Sequence, residues 1–216
     1  MKLAIALYDT FTALDAIGPY EVLSHLPGMQ TVFVGHEKRP FRTDTKACAI
    51  VADASFAEVD SADIVLVPGG PDGLGIATDA SLIAWLRKVH PTTQWTTSVC
   101  TGALALAAAG ILTGVEAVTH WAAMDALAQL GAKPVKERVV LRGKIVTAAG
   151  VSAGIDMALT LAAKIAGEPA ARAMQLAIEY DPQPPFDSGN AQTASPELIA
   201  LVMKMMTVGE AAAPRA

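Results

Sequence analysis

The strongest constraint on the fold is a regular alternation of two kinds of segment. Short, unbroken β-rich runs at residues 2–8, 31–35, 63–67, 95–99 and 145–148 take turns with alanine- and leucine-rich stretches. The β-rich runs lack the apolar/polar alternation of a strand with one wet face, so both of their faces must be covered. The intervening stretches at 19–26, 80–90, 101–109, 122–130 and 152–166 carry helical spacing. Strands covered on both faces and linked by helices make a parallel sheet inside an α/β sandwich. Pro19 suits a first helical turn, and Gly110, Gly131 and Gly167 suit helix ends. Residues 135–141 and 144–148, joined by Arg-Gly, read as a hairpin at one edge of the sheet.

A further helix is expected over 170–180, then a proline-rich coil "DPQPPFDSG" that wraps the surface, then a last helix over 196–207. The tail "GEAAAPRA" is expected to fray. With no repeat and no linker, the 216 residues read as one domain, 1–216, in which about 181–216 form a C-terminal wrap and helix.

Charge and composition remove several classes of function. A formal charge of −5 without a basic cluster is a poor match to a phosphate backbone, so no nucleic-acid partner is expected. The longest apolar segment, 102–113, is too short to span a bilayer, so no membrane partner is expected either. The opening "MKLAIALYDTF" reads as a buried first strand, because Asp9 follows with no small-residue cleavage site. Two cysteines make no disulfide framework, and a cytoplasmic protein follows by elimination.

In an open parallel sheet, ligands bind beyond the carboxyl ends of the strands. The segments that follow the strands are therefore candidates. "WTTSV" is followed by Cys100 and "TGALALAAAG". A cysteine is commonly just a small buried hydrophobe. At an abrupt strand-to-helix junction it can instead be a nucleophile, as on the elbow that presents the serine of α/β-hydrolases. Unpaired N–H groups at the start of the next helix favour thiolate and would lower the thiol pKa. Cys48, in "KACAIV", has no such setting and reads as packing.

"DIVLV" is followed by "PGGPDGLG", which lacks the spacing and the lysine of a phosphate loop. It is either a tight turn or a place where the N–H groups of Gly69 and Gly70, with that of Thr101, form an anion hole. Asp15 in "LDAIGPYE" is either a turn residue or a carboxyl in apolar surroundings, whose raised pKa would make it a general acid. Glu21 competes for that role. His120 is either a dyad partner for Cys100 or a cap beside Trp121. No metal-ligand spacing joins the four histidines, and no metal or other cofactor is expected.

Taken together, "LDAIGPYEVL", "DIVLVPGG", "SVCTGALALAAAGILTG", "THW", "GVSAGID" and "EYDPQPPFDSG" resemble the DJ-1/PfpI superfamily (class I glutamine amidotransferase-like), most closely its isocyanide hydratase branch. The resemblance runs in order from about Ile5 to Gly189. It implies a flavodoxin-like three-layer sandwich, a homodimer, a cofactor-free cysteine enzyme and an isocyanide as the small-molecule substrate. It also implies Cys100 as nucleophile and Asp15 as acid and base. Thr101, Gly70 and Gly69 would hold polar groups through the backbone, and His120, Val151 and Glu21 are candidates for lining the pocket. Thr101 stands where the protease-like branch has histidine, which argues against peptidase activity. Two other readings fit the same motifs: a ligand-binding sensor related to AraC-type regulators, and a redox or oxoaldehyde-detoxifying protein.

Overall fold

The structure is a computed structural model that describes the backbone of residues 1–212 and the side chains through residue 206. Its centre is a seven-stranded sheet. In chain order the strands of the molecule are β1 (Lys2–Ala6), β2 (Gln30–Gly35), β3 (Pro40–Arg42), β4 (Ala49–Val51), β5 (Ala54–Ser55), β6 (Ile64–Val67), β7 (Trp95–Val99), β8 (Glu116–Ala117), β9 (Lys133–Pro134), β10 (Val139–Arg142) and β11 (Ile145–Ala148). The sheet runs β10-β11-β7-β6-β1-β2-β5, and every pairing is parallel except β10 with β11. Leu3 to Leu7 and Ile64 to Val67 are fully buried, which explains their unbroken apolar character.

Helices α1 (Ala13–Leu23), α2 (Gly73–Ile76), α3 (Ala80–Val89), α4 (Gly102–Ala108), α5 (Met124–Gln129), α6 (Ala153–Ala166) and α7 (Glu168–Ala177) connect and cover the strands. α1 packs on α6 and α6 on α7, while α3 and α5 pack on α4. Right-handed crossovers leaving β1 toward β2 and leaving β6 toward β7 place these two groups on opposite faces of the sheet. This is the expected flavodoxin-like three-layer sandwich. The chain leaves β1 in one direction and β6 in the other, so a crevice opens at their carboxyl ends.

Several local readings need correction. α1 begins at Ala13, six residues before Pro19, so this proline lies inside the helix and not in its first turn. α1 meets α6 closely there: a β-carbon at Gly154 would stand 3.1 Å from Pro19 Cγ, and one at Gly18 3.1 Å from Ile155. Asp15 thereby sits in the first turn of α1 and is fully buried. The hairpin is real but turns at Gly143 and Lys144, with Gly143 at φ 60°. Cys48 is exposed, not packed, because it precedes β4 in a separate two-stranded sheet with β3. β8 pairs with β9 outside the main sheet, so the segment that leads to His120 ends no central strand.

Contacts divide the chain into two compact units, Met1–Ile178 and Glu179–Ala216. In the second, residues 181–189 have no regular structure, and α8 (Pro196–Ala212) extends beyond the expected end at residue 207. Of the tail expected to fray, residues 209–212 are helical and 213–216 lie outside the described residues.

Candidate functional site

Cys100 stands at the turn between β7 and α4 with φ 55°, a left-handed conformation that costs a non-glycine residue roughly 1–2 kcal/mol. The surrounding backbone holds it there. The Cys100 N–H donates to the Ala149 carbonyl at 2.8 Å, and the Thr119 hydroxyl donates to the Cys100 carbonyl at 2.8 Å. Gly102, the first residue of α4, lets the helix start directly under β6: a β-carbon there would stand 2.1 Å from the Val67 carbonyl oxygen. The result is a strained, buried cysteine at the end of a central strand, 6% exposed.

The sulfur is approached by three donors, the N–H groups of Thr101 and Val151 and the Thr101 hydroxyl, all of which stabilise thiolate. Burial acts the other way and is the larger effect, and the nearby Asp15 carboxylate adds to it. Together they push the thiol up to about 12. The sequence-based expectation of a lowered thiol pKa is therefore reversed for the thiol facing an ionised Asp15. A proton on Asp15 removes the second of these upward pushes and leaves burial opposed by the three donors.

Asp15 can carry that proton near neutral pH. Desolvation lifts its carboxyl from 3.8 to about 7, against the pull of the Gly69 N–H and of Cys100, with Asp44 adding a further upward push. Gly69 N–H donates to Oδ2 at 2.9 Å, while Oδ1 is buried without a hydrogen bond of ordinary geometry. The carboxyl and thiol lie close enough for each to perturb the other, so they form one buried acid pair.

This geometry changes the roles expected for the glycine loop. Gly69 N–H holds the Asp15 carboxyl. Gly70 N–H donates to the Thr101 hydroxyl at 2.9 Å, and that hydroxyl donates back to the Gly70 carbonyl at 2.7 Å. Neither glycine N–H is left over as an anion-hole donor in this state. The Thr101 hydroxyl has one proton, which can serve Gly70 or the Cys100 sulfur, but not both at once. Both glycines are still required: a β-carbon at Gly69 would stand 2.5 Å from Thr101 N, and one at Gly70 2.5 Å from the Thr10 carbonyl.

Val151 joins the site through its N–H. Glu21 does not: it lies exposed on α1, with its carbonyl 2.8 Å from His25 Nδ1. His120 caps its own turn, its Nδ1 accepting from Ala122 N–H at 3.3 Å, and a β-carbon at Gly150 would stand 3.0 Å from its ring. Burial lowers its pKa, so the ring is neutral at pH 7. Sequence reasoning missed Tyr8 and Thr119. Tyr8 lies two residues past the first strand, and Thr119 immediately precedes the histidine that drew attention. No cluster of three or more potential metal ligands occurs among the described residues, and no helix there is long and apolar enough to cross a membrane.

The sequence pattern of the DJ-1/PfpI family matches residues 1–164, a span that holds every site residue named above. The chain belongs to the DJ-1/PfpI family. Among relatives, an isonitrile hydratase of Pseudomonas putida is 40% identical over 194 residues, covering 90% of this chain and 85% of that protein. An HTH-type transcriptional regulator of Pseudomonas aeruginosa is 31% identical over 137 residues, 62% of this chain but only 39% of the regulator. Among solved structures, a ThiJ/PfpI family protein from Pseudomonas syringae superposes with a TM-score of 0.90 at 35% identity, covering 97% of this chain and 89% of that one. Within the DJ-1/PfpI fold, the Cys100 elbow after β7 and Asp15 on α1 meet at the carboxyl ends of the central strands.

Proposed function

We propose that this protein is an isocyanide hydratase, a cofactor-independent lyase that adds water to an isocyanide to give an N-substituted formamide. The observation that carries the reading is the buried Asp15–Cys100 pair, with an acid at about 7 beside a strained cysteine. The 40% identity to an isonitrile hydratase over most of both chains supports the choice of substrate.

The pair performs the reaction in three steps. In the reactive form Asp15 is protonated and Cys100 is thiolate, held by the N–H groups of Thr101 and Val151. The sulfur attacks the terminal isocyanide carbon, and the Asp15 proton passes to that carbon, forming a C–S and a C–H bond in a thioimidate. Water then adds: Asp15 carboxylate takes a proton from it and passes one to the nitrogen, as oxygen bonds to carbon. The tetrahedral adduct collapses as Asp15 accepts the hydroxyl proton, the C=O forms and the C–S bond breaks. The formamide leaves, and the protonated acid and thiolate are restored.

A narrow, linear functional group suits a nucleophile that is only 6% exposed. The working form is a homodimer in the cytoplasm, consistent with a chain that has 52% apolar residues and leaves Leu14, Leu74 and Leu176 exposed. Light scattering at micromolar concentration tests the dimer. Incubation of the pure protein with a simple aromatic isocyanide, following formamide by mass spectrometry, tests the activity. Formamide formed at a rate that depends on Cys100 supports the reading. Saturable binding without turnover would replace it with a sensor role.

A further inference from the structure

Tyr8 is a buried phenol two residues past the end of β1, 8% exposed, that the reaction scheme does not use. Its ring is set edge-on to Phe11, with centroids 6.4 Å apart, and its hydroxyl donates to the Pro68 carbonyl at 3.0 Å. The Pro68 carbonyl and the Gly69 N–H are the two ends of one peptide group. A trans peptide is planar, so fixing the direction of its C=O fixes the opposite direction of its N–H. That N–H is the donor to Asp15 Oδ2 at 2.9 Å. A single peptide plane thus links the Tyr8 phenol to the catalytic carboxyl.

We propose that Tyr8 is a positioning residue: by anchoring the Pro68 carbonyl it locks the Pro68–Gly69 peptide so that Gly69 N–H stays aimed at Asp15. The inference rests on the role given to Asp15 above. A lock is needed because Gly69 has no side chain to hinder rotation of the peptide on its carboxyl side. The phenol also polarises the amide, since hydrogen bonds in series strengthen one another. Tyr8 remains a donor across the working pH range. Burial is the largest effect holding its proton on, and the negative charges of Asp15, Cys100, Asp72 and Asp44 around it act in the same direction. The groups that set Asp15 itself are Gly69, Cys100 and Asp44.

Gly69 N–H pulls the Asp15 pKa down. Loosening it must push the acid limb of the pair's titration to higher pH. The test uses the full chain carrying Cys48→Ala, so that iodoacetamide reports on Cys100 alone, and compares alkylation rate against pH with and without Tyr8→Phe. The limb is expected to move up by about 0.5–1 pH unit, and turnover of an aromatic isocyanide to fall about five- to tenfold with KM little changed. A loss of packing alone would lower stability and leave the limb in place. As a second variant, 3-fluorotyrosine at position 8 keeps the ring and sharpens the donor, and is expected to move the limb toward lower pH. Limbs that superimpose across wild type and both variants would overturn the proposal. Because alkylation needs no isocyanide, its outcome is independent of whether the hydratase reading holds.

Discussion

The α-carbon of Gly102 lies so close beneath the Val67 carbonyl that a β-carbon would stand 2.1 Å from the oxygen and 2.9 Å from that of Pro68. One residue is thus pressed against the backbone that leads into the Gly69–Gly70 loop and also starts the helix behind the cysteine. Gly102→Ala must displace one of these. The expected cost is about 3 kcal/mol or more, seen as a Tm lowered by ~6–12 °C, with activity lost beyond what unfolding explains. Thermal melts and assays at a temperature where the variant is folded check this. An unchanged Tm would show that β6 and α4 can separate freely.

Cys100→Ala is expected to abolish turnover while leaving the fold intact, because in the proposed reaction the sulfur forms the new bond to carbon. Cys48→Ala is expected to leave turnover unchanged, since Cys48 is exposed just before β4 of the two-stranded β3–β4 sheet. Paired kinetics and circular dichroism separate the two. Equal losses in the two variants would remove Cys100 from its role.

Asp15→Asn keeps the shape of the side chain and removes its proton chemistry, so turnover should fall by about 10²–10⁴-fold. The stability effect has a definite sign. The carboxyl titrates at 3.8 in the ordinary state and at about 7 in the fold, so the folded protein holds the proton more tightly. The stabilisation this supplies is complete below pH ~4 and is lost as pH rises through about 7, a change on the order of 4 kcal/mol at most. The asparagine variant lacks that loss. It should be inactive and yet more stable than wild type at pH 8, by urea denaturation, with no such gain at pH 4. In wild type, activity should rise through about pH 7 as the pair gives up its first proton, because the proton that remains can then pass from Cys100 to Asp15 and leave the thiolate. That apparent value belongs to the pair. Matching urea midpoints for wild type and variant at pH 8 would show that Asp15 is not ionised at a cost.

His120→Asn and Glu21→Gln are expected to stay within a few-fold of wild-type turnover. Asparagine can still cap the turn at Ala122, and Glu21 is exposed. A hundredfold loss in His120→Asn, with its melting temperature preserved, would restore the cysteine–histidine dyad.

The central strands, the hairpin and the cysteine elbow were legible in the sequence because each is a local signal. An unbroken β-branched run means burial on both faces, and a run of this kind that ends at Cys100 and gives way to Gly-Ala-Leu-Ala marks an abrupt turn into a helix. Asp15 stood out for the same reason, a carboxyl set among apolar neighbours. Strands of two or three residues, β3, β4, β5, β8 and β9, are too short to show a period, and only pairing with distant segments makes them strands. Cys48 and Pro19 were misplaced because their surroundings come from elsewhere in the chain.

The chemistry of the site was decided by tertiary structure alone. Which carbonyl or carboxyl each N–H of the glycine loop serves depends on where α1, α4 and Tyr8 meet it, and nothing near Gly69 in sequence names Asp15 as its partner. The same holds for titration. A helix start favours thiolate, but the burial of Cys100 and the carboxylate from a distant helix outweigh it and move the proton question to Asp15. Sequence sets which groups can react, since it sets the atoms and the local backbone. Desolvation and hydrogen-bond partnership sum over every segment packed around those atoms, so the proton's place is determined only once the sheet has brought β1, β6 and β7 side by side.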